Sequence, residues 1–62
     1  MHALARTQEA DVAYERGAHA FRLGDTATAL SYLEKASELD SEDTEIRKLH
    51  ALVLISSGEA RR

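Results

Sequence analysis

The chain has 62 residues, which is enough for one small domain and no more. It carries eight basic and eleven acidic residues, a net charge of −3, and this balance argues against a nucleic-acid-binding surface. It contains no cysteine, which excludes disulfides and thiolate metal sites, and no proline, which suits a nearly all-helical chain.

Neither end nor middle of the chain shows a targeting or membrane segment. The first six residues, MHALAR, lack the long apolar core of a signal peptide. The longest apolar run, residues 51–55, is far too short to cross a bilayer. We therefore expect no membrane insertion and a cytoplasmic location.

The first predicted helix spans about residues 7–23, and residues 1–6 either fray or extend it. Thr7 is the candidate N-cap, because its hydroxyl can accept a bond from an unpaired backbone N–H. Gly17 lies in the middle of this helix, where glycine costs up to about 1 kcal/mol relative to alanine. We interpret it as a point of close approach by the next helix, with a merely tolerated glycine as the alternative. Four side chains of this helix are predicted to be buried, namely Val12, Ala13, Ala20 and Phe21.

The second predicted helix spans about residues 25–40. Gly24 is expected to adopt the left-handed conformation that ends a helix, and Asp25 to cap the next one. Ala29, Leu33 and Ala36 form one row at helical spacing, which is typical of a core-facing helix. Three further side chains widen this apolar stripe, namely Leu30, Tyr32 and Leu39.

The third predicted helix spans residues 44–57, with Asp43 as the expected cap and Ser41 as the alternative. Its second half, ALVLI, is apolar around most of its circumference, which one neighbouring helix cannot cover. Gly58 ends it, and residues 59–62 form a polar tail. Its apolar side chains point to three sides: one row of Ile46, Leu49 and Val53, a second with Leu52 and Ile55, and a third with Leu54.

The dipeptide Gly24-Asp25 recurs as Gly58-Glu59, 34 residues later. This offset is the period of tetratricopeptide repeats, whose unit is a helix-turn-helix. That family favours Trp, two residues, Leu-Gly, two residues, Tyr, and then Ala, Phe, Ala and Pro. These places fall here on Ala13, Arg16, Gly17, Ala20, Ala29, Leu33, Ala36 and Ser41.

The chain resembles this family over about one and a half repeats. Gly17, Ala29 and Ala36 match the pattern, and Leu33 replaces Phe. Ala13 and Ala20 are smaller than the aromatic residues that the family favours at these places. Arg16 is charged where Leu is usual, and Ser41 replaces Pro. In the partial second copy only two of four places, Ala51 and Leu54, resemble the pattern, while Arg47 and His50 depart from it.

The resemblance implies an all-α fold: a helical hairpin plus a third helix. A lone repeat cannot bury its hydrophobic face. The chain is therefore expected either to self-associate or to be part of a longer array. We predict a homodimer with twofold symmetry. The residues predicted to form its interface are Leu49, Leu52, Val53 and Ile55.

The resemblance also implies a binding face lined by the first helix of each repeat. The chain is thus predicted to be an interaction module for a protein or peptide. The alternative is a self-assembling helical scaffold, natural or engineered, with no other ligand. For Tyr14 and Phe21 the competing interpretation is ordinary packing or surface exposure. The face comprises Asp11 and Glu45 at one end and, as predicted binding residues, Tyr14, Ala18, Phe21, Arg22, Lys48, Leu52 and Ile55.

The sequence indicates neither an enzyme nor a cofactor or metal site. It has no phosphate-binding loop and no nucleophile–base pair. His19 follows Glu15 by four residues, but two ligands are too few for a dedicated metal site. Arg16 and His50 occupy corresponding places in the two copies. Each either extends along apolar surface to water or meets a carboxylate of a partner chain.

Overall fold

The computed structural model describes residues 7–58, which fold into three α-helices: α1 (Gln8–Arg22), α2 (Thr26–Leu39) and α3 (Thr44–Ser57). This part of the chain contains no strand. The all-α architecture, a helical hairpin followed by a third helix, is confirmed. The predictions for residues 1–6 and 59–62 fall outside the described residues.

Each helix begins at a side-chain oxygen that accepts a bond from the first turn, because those N–H groups have no partner within the helix. Thr7 Oγ1 accepts from the N–H of Ala10 at 3.1 Å, and Asp25 Oδ1 accepts from that of Thr28 at 3.2 Å. Asp43 Oδ1 accepts two bonds, from Glu45 at 2.9 Å and Ile46 at 3.1 Å. Asp43, and not Ser41, is therefore the cap of α3.

The turn between α1 and α2 depends on Gly24, whose φ is +85°. In this conformation the Gly24 N–H donates to the Phe21 carbonyl at 3.0 Å, and the Asp25 N–H donates to the Ala20 carbonyl at 2.9 Å. These two bonds satisfy carbonyls at the end of α1 and turn the chain within two residues. Asp25 can then cap α2 immediately after α1 has ended.

α1 packs against α2 through a row of small residues that share one side of α1. Ala10 and Ala13 cluster with Ala36, near the end of α2, whereas Ala20 clusters with Ala29, near its beginning. The two helices are therefore antiparallel. We call this row the small-residue stripe: Ala10, Ala13, Gly17 and Ala20.

Gly17 is the closest point of this contact. A Cβ atom added there would lie 2.8 Å from Leu33 Cγ, 3.0 Å from Leu33 Cδ2 and 3.4 Å from the Ala29 carbonyl oxygen. Leu33 is itself fully buried. The prediction of close approach at Gly17 is thus confirmed, since no side chain fits between the helices there.

α3 completes the core by packing on α2. Ile46 joins the alanine cluster at one end of the hairpin, and Val53 joins the cluster of Ala20, Ala29 and Leu33 at the other. The largest fully buried side chains of the described residues are Leu33, Ile46 and Val53.

Two predicted positions require correction. Val12 is predicted to be buried, but 45% of its surface is exposed, because it lies on the side of α1 that faces away from α3. Val53 is predicted to lie on the self-association surface, but it is fully buried inside the chain. It shares the row of Ile46, which turns toward α2, and so it is not available for a dimer contact.

Replacing Gly17 with Ala is expected to destabilise the fold by about 1–3 kcal/mol, the usual cost of overpacking a core. The improved helix propensity, worth up to about 1 kcal/mol, opposes this loss without cancelling it. Urea denaturation followed by circular dichroism measures the difference. Ser31→Ala, at an exposed site of α2, is the control. A Gly17→Ala variant as stable as the parent chain would contradict the close contact.

Replacing Asp43 with Ala is expected to cost about 1 kcal/mol, because two N–H groups at the start of α3 lose their acceptor. Thermal denaturation measures this loss. Glu42→Ala removes a neighbouring carboxylate, which is exposed and does not cap the helix, and should change the melting temperature much less. Equal effects of the two substitutions would show that charge, not capping, is the cause.

Candidate functional site

The predicted binding residues of α1 lie beside the small-residue stripe, on the flank nearer α3. Tyr14, Ala18 and Phe21 recur at helical spacing and are half-buried, whereas Arg22 is exposed. Phe21 packs against the cluster that contains Val53 of α3. Part of its surface therefore serves the core, as the competing interpretation proposed, and part remains accessible.

The predicted binding residues of α3 are more accessible. Lys48 is exposed, and 48% of Leu52 and 54% of Ile55 are exposed. Their spacing of four and three residues places them on one side of α3. Leu49 is half-buried and packs against the cluster around Leu33. An apolar strip with a basic residue at one end thus runs along the outside of α3.

One buried cluster receives side chains from both α1 and α3. Tyr14 and Phe21 of α1 and Leu49 of α3 pack against the same group of Ala20, Ala29, Leu33 and Val53. The first set and Leu49, a sequence neighbour of the second set, thus border a common part of the core. We call this surface the α1–α3 face: Tyr14, Ala18, Phe21, Arg22, Lys48, Leu52 and Ile55.

A second concave surface lies on the opposite flank of α1, between α1 and α2 on the side away from α3. None of the residues of the α1–α3 face lines it, whereas Asp11, which the resemblance assigned to the binding face, does. We call it the outer groove; its principal residues are Val12, Arg16 and His19 of α1, Leu23 just after α1, and Thr28, Tyr32 and Lys35 of α2.

The outer groove combines apolar side chains with charges of both signs. Arg16 and Tyr32 line both halves of it. Glu9 and Lys35 line one half, and three carboxylates line the other, namely Asp11, Glu15 and Asp25. Arg16 is exposed, while His50, which the predicted repeat would pair with it, is half-buried.

Both surfaces combine apolar and aromatic side chains with charged ones. Within residues 7–58, no three His, Asp or Glu side chains are placed to hold a metal ion together. None of the three helices has both the length and the apolar character that a bilayer-spanning helix needs. Asp25 and Asp43 use carboxylate oxygens to cap helices.

No family model matches this chain, and neither a curated protein nor a solved structure matches it. The packing of its helices and the exposure of its side chains are therefore the basis of the functional interpretation.

Proposed function

We propose that the chain is a tetratricopeptide-like interaction module that binds a protein or peptide segment through the α1–α3 face, with no enzymatic activity and no cofactor. The observation that supports this best is the exposure of Leu52 and Ile55, in line with Lys48 on the outside of α3. Large apolar side chains in one strip, with charges at the edge, are typical of a contact surface.

The apolar strip would supply most of the affinity. Full burial of a leucine or isoleucine side chain contributes about 1.5–3 kcal/mol, and roughly half of each side chain is still exposed here. Leu52 and Ile55 together would therefore contribute on the order of 2 kcal/mol. Tyr14 and Phe21 would add the edges of their rings.

The charged residues would orient the partner. Arg22 and Lys48 are exposed cations, one on each helix of the face. Carboxylates of a bound segment can pair with them, each pair being worth about 0.2–1 kcal/mol at an exposed site. Such pairs favour one direction of the segment and accelerate its association more than they tighten binding.

Peptides selected on the intact chain from a random displayed library should bind the α1–α3 face. Leu52→Asp is expected to weaken a selected peptide at least about tenfold, because it places a charge in the apolar strip and 1.4 kcal/mol corresponds to a factor of ten. The double change Tyr14→Ala with Arg22→Ala should also weaken it. Fluorescence anisotropy with the labelled peptide measures both effects.

Glu38→Ala, on the exposed side of α2, is the control and should leave the affinity unchanged. Urea denaturation checks that each variant is folded. If folded Leu52→Asp and Tyr14→Ala/Arg22→Ala variants bind selected peptides as tightly as the parent chain does, this function is wrong.

A second candidate function is a self-assembling scaffold. The same exposed strip on α3 favours it, together with a core in which three large side chains of residues 7–58 are fully buried. A single small core rarely supplies more than about 3–5 kcal/mol, so association would add needed stability. With Val53 buried inside the chain, the contact would consist of Leu52, Ile55 and the exposed part of Leu49.

If the chain self-associates, light scattering at tens of micromolar should give the mass of two chains, and the melting temperature should rise with concentration. Leu52→Glu with Ile55→Glu should give the mass of one chain, because like charges would meet across a twofold axis. Val12→Glu, at an exposed apolar site outside this strip, is the control and should remain dimeric. A single-chain mass for the parent protein would eliminate this candidate.

A further inference from the structure

Two large apolar side chains are exposed along the outer groove, one toward each end of α1. Val12 is 45% exposed, and Leu23, just after the helix, is 71% exposed. They are eleven positions apart and therefore lie roughly 16 Å from each other along the helix axis. Tyr32 of α2 lines both halves of the groove and so lies near its middle. The groove thus offers apolar contacts on either side of a central aromatic ring.

The two charges that α2 contributes to the groove also lie at opposite ends, and they have opposite signs. Lys35 lines one half, and Asp25, ten positions earlier, lines the other. Both are exposed. Asp25 uses Oδ1 to cap α2, so that Oδ2 can accept from another donor. A second copy of the chain, turned end for end, would bring each lysine to the aspartate of the other copy.

α1 contributes charges of both signs near the middle of the groove, where the exposed residues Glu15 and Arg16 are adjacent. Setting Val12 opposite the partner's Leu23 fixes the register of an antiparallel contact. In that register Glu15 lies beside the partner's His19 and about one turn from the partner's Arg16. A parallel contact would instead set each Glu15 against its own copy. The charges of the groove therefore complement themselves only when the two copies are antiparallel.

We propose that two copies of this chain pack against each other through their outer grooves, antiparallel about a twofold axis that passes near Tyr32. α1 then faces α1 of the partner, and α2 faces α2 of the partner. Every contact occurs twice, because the axis repeats it. Val12 contacts the partner's Leu23, and Lys35 pairs with the partner's Asp25.

The mixed charges of the groove favour a second copy over a partner helix of one charge sign. An acidic helix would cover Asp11, Glu15 and Asp25 with like charge, and a basic one would do the same to Arg16 and Lys35. Like charges brought together in a contact oppose binding. A second copy presents the same charges in reversed order and so avoids both conflicts.

This interface is independent of the proposed peptide-binding function, because the α1–α3 face lies on the opposite flank of α1 and stays open in such a dimer. It also differs from the self-assembling scaffold, whose contact is the apolar strip of α3. The two modes of association predict opposite results for the same substitutions, so that one set of variants decides between them.

Light scattering at tens of micromolar should give the mass of two chains for the parent protein. Val12→Glu should give the mass of one chain, because it places a carboxylate against the partner's Leu23. Leu52→Glu with Ile55→Glu should keep the mass of two chains, which is the reverse of the result expected for the scaffold. Circular dichroism checks that each variant is helical.

A charge reversal at an exposed site tests the polar part of the contact without disturbing the core. Lys35→Glu should raise the dissociation constant of the dimer at least about tenfold, because it faces the partner's Asp25 with like charge. Sedimentation equilibrium measures this constant. Arg47→Glu, a similar reversal at an exposed site outside both surfaces, is the control and should change it little.

Cysteine pairs test the antiparallel arrangement, since the natural chain has no cysteine. Val12→Cys and Leu23→Cys proteins are mixed in a glutathione redox buffer, and the products are identified by mass spectrometry. The mixed disulfide should form far faster than either disulfide between two copies of one variant. Only the antiparallel register brings positions 12 and 23 within the short distance that a disulfide requires.

The inference is overturned if the parent protein has the mass of one chain at these concentrations. It is also overturned if folded Val12→Glu remains dimeric, if Lys35→Glu and Arg47→Glu have equal effects, or if the mixed disulfide forms no faster than the others. None of these results bears on peptides selected for the α1–α3 face, so the proposed function and this interface can fail separately.

Discussion

The close contact between α1 and α2 at Gly17 is the constraint on which the rest of the structure depends. Because Gly17 has no side chain, Leu33 and the Ala29 carbonyl can occupy the space beside it, and the small-residue stripe lies directly against α2. A contact made from alanines and a glycine brings the helices close but buries few large apolar groups. The larger side chains of the core come from Leu33 and from α3, through Ile46 and Val53.

This arrangement explains the two exposed surfaces. α3 buries one row of its apolar side chains in the core, while Leu52 and Ile55 remain exposed. α1 buries its small-residue stripe against α2, while Val12, Arg16 and His19 remain exposed along the outer groove. The two surfaces flank the stripe on opposite sides and share no residue.

The features that could be predicted from the sequence are those decided locally. Thr7, Asp25 and Asp43 cap their helices because a short polar side chain needs only the next turn as its partner. The misplaced residues are those whose burial depends on where the third helix lies. Helical spacing groups Val12 with neighbours on α1 and Val53 with Ile46, but it does not say which flank another helix covers. The outer groove was missed for the same reason.

The small-residue stripe also decides how the molecule can change shape. Alanine and glycine lose no rotamer entropy when they are buried, and they have no alternative side-chain conformations into which to repack. The alanine and glycine contacts of α1 on α2 therefore offer no alternative side-chain packing. The contacts of α3 use the branched side chains of Leu33, Ile46 and Val53, which do have alternative rotamers. Any adjustment to a ligand should consequently appear as a small displacement of α3 against an unchanged hairpin.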